Sequence, residues 1–216
     1  MDRRSVIFAG ALGGLALLGG SALNAVVGVT AARADASAEA LKAPSPLGDI
    51  ALGAEDAPVT IVEYLSLGCP HCAAFAAETL PKLKEKYIDT GKVRLIMREL
   101  PFDDAVLAAT MIVRCAPQEK AVPMIEMLLE QQDAWHSPGV DVRGELFKIA
   151  RLAGLTQAQF DACLMNEDLA RKIFEVTKQA KEFGVQSTPT FFVNGKKIVG
   201  AANIEEFDKV IAEAAQ

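Results

Sequence analysis

The chain has 216 residues, with 28 acidic against 22 basic side chains, a formal net charge of −6 and 51% hydrophobic residues. That length fits one domain carrying an insertion, with enough apolar material for a substantial core. A mildly acidic chain without basic clusters is a poor nucleic-acid binder, so no such partner is expected.

The first element is an export signal. Arg3 and Arg4 precede an apolar run from Val6 to Val29, which holds Gly10, Gly13, Gly14, Gly19, Gly20 and Gly28. The run closes on Ala32-Arg33-Ala34, a small-x-small cleavage pattern. Residues 1–34 therefore read as a secretory signal peptide cut after Ala34. The run is long enough to span a bilayer as an uncleaved anchor, but its glycines and the cleavage pattern argue against that. The paired arginines leave twin-arginine export open beside the general route. Residues 35–57 are rich in Ala, Pro and small polar groups and read as a flexible lead-in.

Pro58 opens a strand, Val59-Thr60-Ile61-Val62-Glu63-Tyr64-Leu65, apolar on both faces and so an interior strand. Glu63 interrupts it, on the face of Ile61 and Leu65. Buried there, a carboxyl has a raised pKa and can exchange a proton near neutrality; alternatively it reaches the strand edge or pairs with a lysine.

Leu65-Ser66-Leu67-Gly68-Cys69-Pro70-His71-Cys72 follows, and then a helical pattern of Phe75, Ala76, Thr79, Leu80, Leu83 and Tyr87. Cys69 thus sits at a strand-to-helix turn. N–H groups at a helix start lack intrahelical partners, and the helix dipole favours negative charge there. A thiolate is such a charge, so Cys69 is expected to have a lowered pKa and Cys72 to resolve a mixed disulfide with it. Zinc binding needs more ligands than His71 and His136, the chain's two histidines, can add, so no metal is expected. A purely structural bond across two residues would close too small a loop to stabilise much.

Pro81 lies inside the helical pattern and is expected to kink it. Val93-Arg94-Leu95-Ile96-Met97-Arg98-Glu99-Leu100 is the next strand, stopped by Pro101, which completes a strand–helix–strand crossover. From Asp103 to Phe183 the patterns are helical, over 104–116, 121–135, 143–153, 157–166 and 168–184. Pro117, Pro138-Gly139 and Gly154 separate them. His136 reads as a surface or helix-end residue rather than a catalyst. Cys115 and Cys163 fall in this block; in an exported chain they are expected to pair, or else to remain two buried thiols. Thr190-Phe191-Phe192-Val193 and Lys196-Lys197-Ile198-Val199 flank Asn194-Gly195, a tight-hairpin signal. Asn203 begins a last helix with a capping-box-like start.

Glu63 through Cys72 resembles the active-site segment of the DsbA-like thiol–disulfide oxidoreductases, exported members of the thioredoxin superfamily. Pro70-His71 between the cysteines is typical of their oxidases. Gly184-Val185-Gln186-Ser187-Thr188-Pro189-Thr190-Phe191-Phe192-Val193-Asn194-Gly195 is similar to the family's cis-proline loop, strand and hairpin. The likeness covers about residues 48–216.

The resemblance implies an α/β thioredoxin-like fold, a central mixed sheet flanked by helices, with an inserted helical domain. The divisions are 58–102 and 181–216 for the two thioredoxin-like parts and 103–180 for the insertion. It implies catalytic roles for Cys69, Cys72, Pro70 and His71, with Glu63 assisting proton transfer at Cys72. His71, when protonated, adds stabilisation to the Cys69 thiolate. The family is a standard instance of a low cysteine pKa, so a low value at Cys69 is implied by the resemblance as well as by position. Thr188 and a cis Pro189 would bind an extended substrate peptide. No cofactor is implied.

The implied activity is donation of the Cys69–Cys72 disulfide to folding exported proteins in the periplasm. A membrane oxidase of the DsbB kind would reoxidise the pair. Two other functions stay open: a disulfide isomerase or reductase, which Thr188 favours, and an exported metal-binding, copper-handling protein.

Overall fold

The computed structural model describes residues 39–214. Five strands form one mixed sheet: β1 (Ile50–Leu52), β2 (Val59–Leu65), β3 (Val93–Glu99), β4 (Thr190–Val193) and β5 (Lys196–Val199). Their spatial order is β1-β3-β2-β4-β5. β2 pairs parallel with β3 and antiparallel with β4, so it is covered on both edges. Its apolar residues on both faces are therefore buried, as expected of an interior strand.

The crossover from β2 to β3 is α1 (Pro70–Glu78), α2 (Leu80–Leu83) and a π-helical turn over Lys84–Ile88. The expected kink at Pro81 is a division between α1 and α2 at Thr79. Pro81 stands in the first turn of α2, where its missing N–H costs nothing. The buried Thr79 hydroxyl donates to Ala202 O at 3.0 Å and fixes the division against the C-terminal part of the chain.

Between β3 and β4 come α3 (Asp104–Cys115), α4 (Gln118–Glu130), α5 (Gln132–Trp135), α6 (Val142–Leu152), α7 (Gln157–Leu164) and α8 (Glu167–Glu182). Asp103, Asp141, Thr156 and Asn166 cap four of these by accepting a backbone N–H in the first turn. The single helix expected over 121–135 is two helices. The chain turns at Gln131, and Trp135 packs back with its indole N–H on Leu128 O at 2.8 Å. After β5, α9 (Ile204–Ala214) closes the chain, with Glu206 N donating to Asn203 Oδ1 at 3.0 Å. Asn194 and Gly195, at φ 45° and 91°, make the β4–β5 turn.

The flexible lead-in reading needs correction over the described part, residues 39–57. Residues 50–52 are β1, paired antiparallel with β3, and Leu41 is buried. Side-chain contacts hold this stretch: Asp49 meets Arg98 Nε at 3.3 Å, and Arg98 also donates to Ala43 O at 2.8 Å. The signal reading of 1–34 lies outside the described residues.

Two apolar layers enclose the sheet. One face carries Ile61, Leu65, Leu95, Met97 and Phe191 against α1, α3, α4 and α9. The other carries Val62, Tyr64, Ile96 and Phe192 under Val176 and Ala180 of α8. Directly below α1, Phe75, Phe191 and Phe207 form a triangle with ring centroids 4.6, 5.7 and 5.1 Å apart. Truncating such a ring costs about 3–5 kcal/mol, so the helix bearing the cysteines rests on a stiff base.

Candidate active site

Cys69 is the N-cap residue of α1 and Pro70 is its first residue. Proline suits that place because its φ is already helical and its N–H would be unpaired anyway. Cys69 O accepts the N–H groups of Cys72 and Ala73, at 3.0 and 3.1 Å, which starts the helix. His71 is exposed, whereas Cys72 lies one turn in and is fully buried. Both cysteines are free thiols here.

Burial and donors separate the two sulfurs. The Cys69 pKa falls to about 5, chiefly through hydrogen bonding from the Cys72 thiol. Burial opposes this; Thr188 and the N–H groups of Cys72 and His71 assist. Cys72 moves the other way, far above a normal thiol, because it donates to Cys69 and is buried. Ser66 N–H donates to Cys72 Sγ at 3.4 Å. One sulfur is thus an accessible thiolate and the other a buried proton carrier.

Glu63 lies beneath, 2% exposed, with its pKa pushed up to about 8 by burial. No hydrogen bond or ion pair holds its carboxyl among the described residues. It therefore neither reaches an edge nor pairs with a lysine, and it raises the Cys72 pKa through space.

The Thr188–Pro189 peptide bond is cis. Cys69 Sγ lies 3.3 Å from Thr188 O, to which it donates only in its protonated form, and this brings residues 119 positions apart into contact. Two hydrogen bonds set this loop: Thr190 Oγ1 to Ser187 O at 2.7 Å and Gly200 N to Pro189 O at 2.8 Å. Thr188 Oγ1 is buried without a hydrogen-bond partner.

The structure brings Glu63, Cys69, Cys72 and Thr188 together, with Pro70 and His71 on the rim. Cys115 and Cys163 lie elsewhere, joined as a disulfide with Cα atoms 6.1 Å apart across 48 residues. His136 is the C-cap of α5, as a helix-end reading expects, but it also flanks the site. Its Nε2 is 2.9 Å from Asp103 Oδ2, and its ring covers Gly68 so closely that a Cβ there would lie 2.6 Å from Cε1. Gln132 also touches the active-site turn. Its Nε2 donates to Leu67 O at 2.6 Å and to Cys69 O at 3.0 Å. Nothing in the sequence marks that glutamine, because its partners lie 65 and 63 residues away.

The family profile for thioredoxin matches residues 45–213. The DsbA protein alpha-DsbA1 of Wolbachia pipientis superposes with a TM-score of 0.75 at 32% identity, covering 82% of this chain and 96% of its own. Oxidised BdbD of Bacillus subtilis gives 0.72 at 26% identity, covering 80% and 95%. The chain is a DsbA-like member of the thioredoxin superfamily. Among sequence relatives, a Rickettsia bellii protein named for protein-disulfide oxidoreductase activity is 35% identical over 152 residues. That alignment takes in 68% of this chain but 57% of the relative, so the chain spans little more than half of that protein's length. Among the described residues no helix is long and apolar enough to cross a membrane.

Proposed function

We propose that this DsbA-like protein is an exported thiol–disulfide oxidoreductase that donates the Cys69–Cys72 disulfide to folding proteins in the periplasm. The observation that carries the reading is the split between the two sulfurs. A thiolate at Cys69 with a pKa near 5 stabilises the reduced form, and a stabilised reduced form makes the disulfide a better oxidant.

The reaction balances as two exchanges. A substrate thiolate attacks Cys69 Sγ, the Cys69–Cys72 bond breaks, and a substrate–Cys69 mixed disulfide forms. Cys72 leaves as a thiolate that is buried and close enough to Glu63 to feel its charge, both of which disfavour the anion, so it needs a proton. Glu63, with a pKa near 8, still holds one at neutral pH and is our candidate donor. A second substrate thiolate then attacks the substrate sulfur and expels Cys69 as its stable thiolate. The substrate loses two electrons and gains a disulfide, while the enzyme is left reduced. Thr188 and Pro189 present backbone beside Cys69 for an extended substrate segment. Pro70 and His71 shape the rim, and a protonated His71 adds charge stabilisation. A membrane oxidase of the DsbB kind would reoxidise the pair, and Cys115–Cys163 would serve as a structural staple of the inserted block 103–180.

One observation favours a second reading. Threonine at this position resembles isomerase and reductase members of the family, and the buried, unpartnered Thr188 hydroxyl beside Cys69 would alter the redox poise. Equilibration of the full chain with glutathione decides. A donor keeps Cys69 and Cys72 reduced until the buffer is strongly oxidising, and Cys69→Ala abolishes oxidation of reduced test proteins. A pair that stays oxidised in reducing buffer overturns the donor reading.

A further inference from the structure

We propose that Gln132 is a positioning residue for exchange at Cys69, acting from the helical block on the active-site turn. The proposal rests on the reading of Cys69 as the exchanging sulfur.

The geometry is a strap. A primary amide has two N–H donors, and the one nitrogen of Gln132 meets the carbonyls on either side of Gly68, those of Leu67 and Cys69. The orientation of the amide follows from its partners: flipped, its oxygen would face two other oxygens. Gly68 itself is pressed between the His136 ring and Val106, with no room for a Cβ. The turn is therefore held by hydrogen bonds and by packing from the helical block. Its own internal bond is Cys69 N to Ser66 O at 3.1 Å.

The strap matters because, Thr188 apart, the groups that stabilise the Cys69 thiolate are set by the same few backbone atoms. The N–H groups of His71 and Cys72, and the thiol of Cys72, belong to the first turn of α1. They serve Sγ only while the N-cap peptide of Cys69 keeps its tilt against that turn. Cys69 O accepts from Cys72 N, Ala73 N and Gln132 Nε2 at once, so Gln132 holds the atom on which the helix start is built. During exchange Sγ is bonded in turn to Cys72, to substrate and to neither. A backbone fixed from outside confines those changes to the side chain. Gln132 touches no reacting atom and takes no proton.

The test uses the reduced full chain with Gln132→Met, which keeps shape and loses both donors, and Gln132→Glu, which puts an acceptor where a donor stood. Cys69 is titrated by thiolate absorbance, the pair is equilibrated with glutathione, and thermal unfolding is followed in parallel. In Gln132→Met the titration midpoint rises, and the equilibrium constant for oxidising glutathione falls about three- to tenfold, the worth of a hydrogen bond or two. The unfolding midpoint stays within about 3 °C. Gln132→Glu moves both thiol readouts further the same way. Wild-type titration and exchange within about twofold in both variants overturn the proposal, as does a Gln132→Met chain that fails to fold, since the strap would then be structural. A wild-type Cys69 that titrates as an ordinary thiol overturns the underlying reading, and this one with it.

Discussion

Two corners of the same sheet face carry a buried glutamate, and the chain treats them differently. Glu63 on β2 and Glu99 on β3 are 2% and 1% exposed. The register sets Glu63 opposite Met97 and Glu99 opposite Leu65, so they stand on neighbouring strands two residues apart along the sheet. Glu99 is met by Arg114 of α3 through two hydrogen bonds, and the next residue, Cys115, is tied to Cys163. Glu63 has no cation partner among the described residues, and the group it acts on through space is the Cys72 thiol. Equal burial of the same residue type thus gives a closed, fully paired corner and an open, reactive one. The partner, not the depth, decides which.

The largest expected effect comes from opening the closed corner. Glu99→Ala leaves the Arg114 guanidinium largely buried without its counter-ion, holding only Gly48 O, and is expected to lower stability by about 3–5 kcal/mol in urea unfolding. A loss under about 1 kcal/mol would mean that the two corners do not differ in this way. Next, Cys115→Ala with Cys163→Ala releases a loop spanning 48 residues. Its closure entropy corresponds to a loss of up to about 4 kcal/mol, with the Cys69 titration unmoved.

The smallest change has the opposite sign. The folded pKa of Glu63, about 8, lies above its ordinary value of 4.5, so the folded state keeps the proton longer. The Glu63 contribution to stability therefore falls as pH rises from 4.5 to 8 and is level beyond. Cys69, with its pKa lowered to about 5, contributes the opposite trend in the reduced chain, so the readout is the difference between wild type and variant. Glu63→Gln removes that loss. It is expected to stabilise the chain by up to about 3 kcal/mol at pH 7 and by almost nothing near pH 4, while slowing the release of Cys72. Equal effects at the two pH values would show that Glu63 is held like Glu99.

Much of the reactive corner was legible in the sequence because its determinants are local. A strand, a turn and a helix start lie within the run from Val59 to Glu78, and the helix start itself supplies N–H groups to the sulfur. The helical block was equally readable from its apolar spacing and its breakers at Pro117, Gly139 and Gly154. What escaped was set by distant partners. β1 is three residues in a stretch of alanine, glycine and proline, and it is a strand because β3 and Arg98 hold it. The break after Glu130 depends on where Trp135 packs. Arg98 and Glu99 looked like strand residues with an awkward charge, since Asp49 and Arg114 cannot be assigned to them without the fold. Gln132 left no trace at all, because a glutamine in a short helix is ordinary until its neighbour across the chain is known.

The distance in sequence between Cys69 and Thr188 has a consequence for the order of events during synthesis. A chain that emerges N-terminus first presents Cys69 and Cys72 while the residue that will face them is still 119 positions behind. Through that interval β2 lacks its β4 neighbour and Cys69 lacks the Thr188 carbonyl. Cys115 and Cys163 have both emerged before Thr188 does. The staple can thus be set while Cys69 and Cys72 are still half-walled, and the finished environment of Cys69 arrives last, with the closing strands of the sheet.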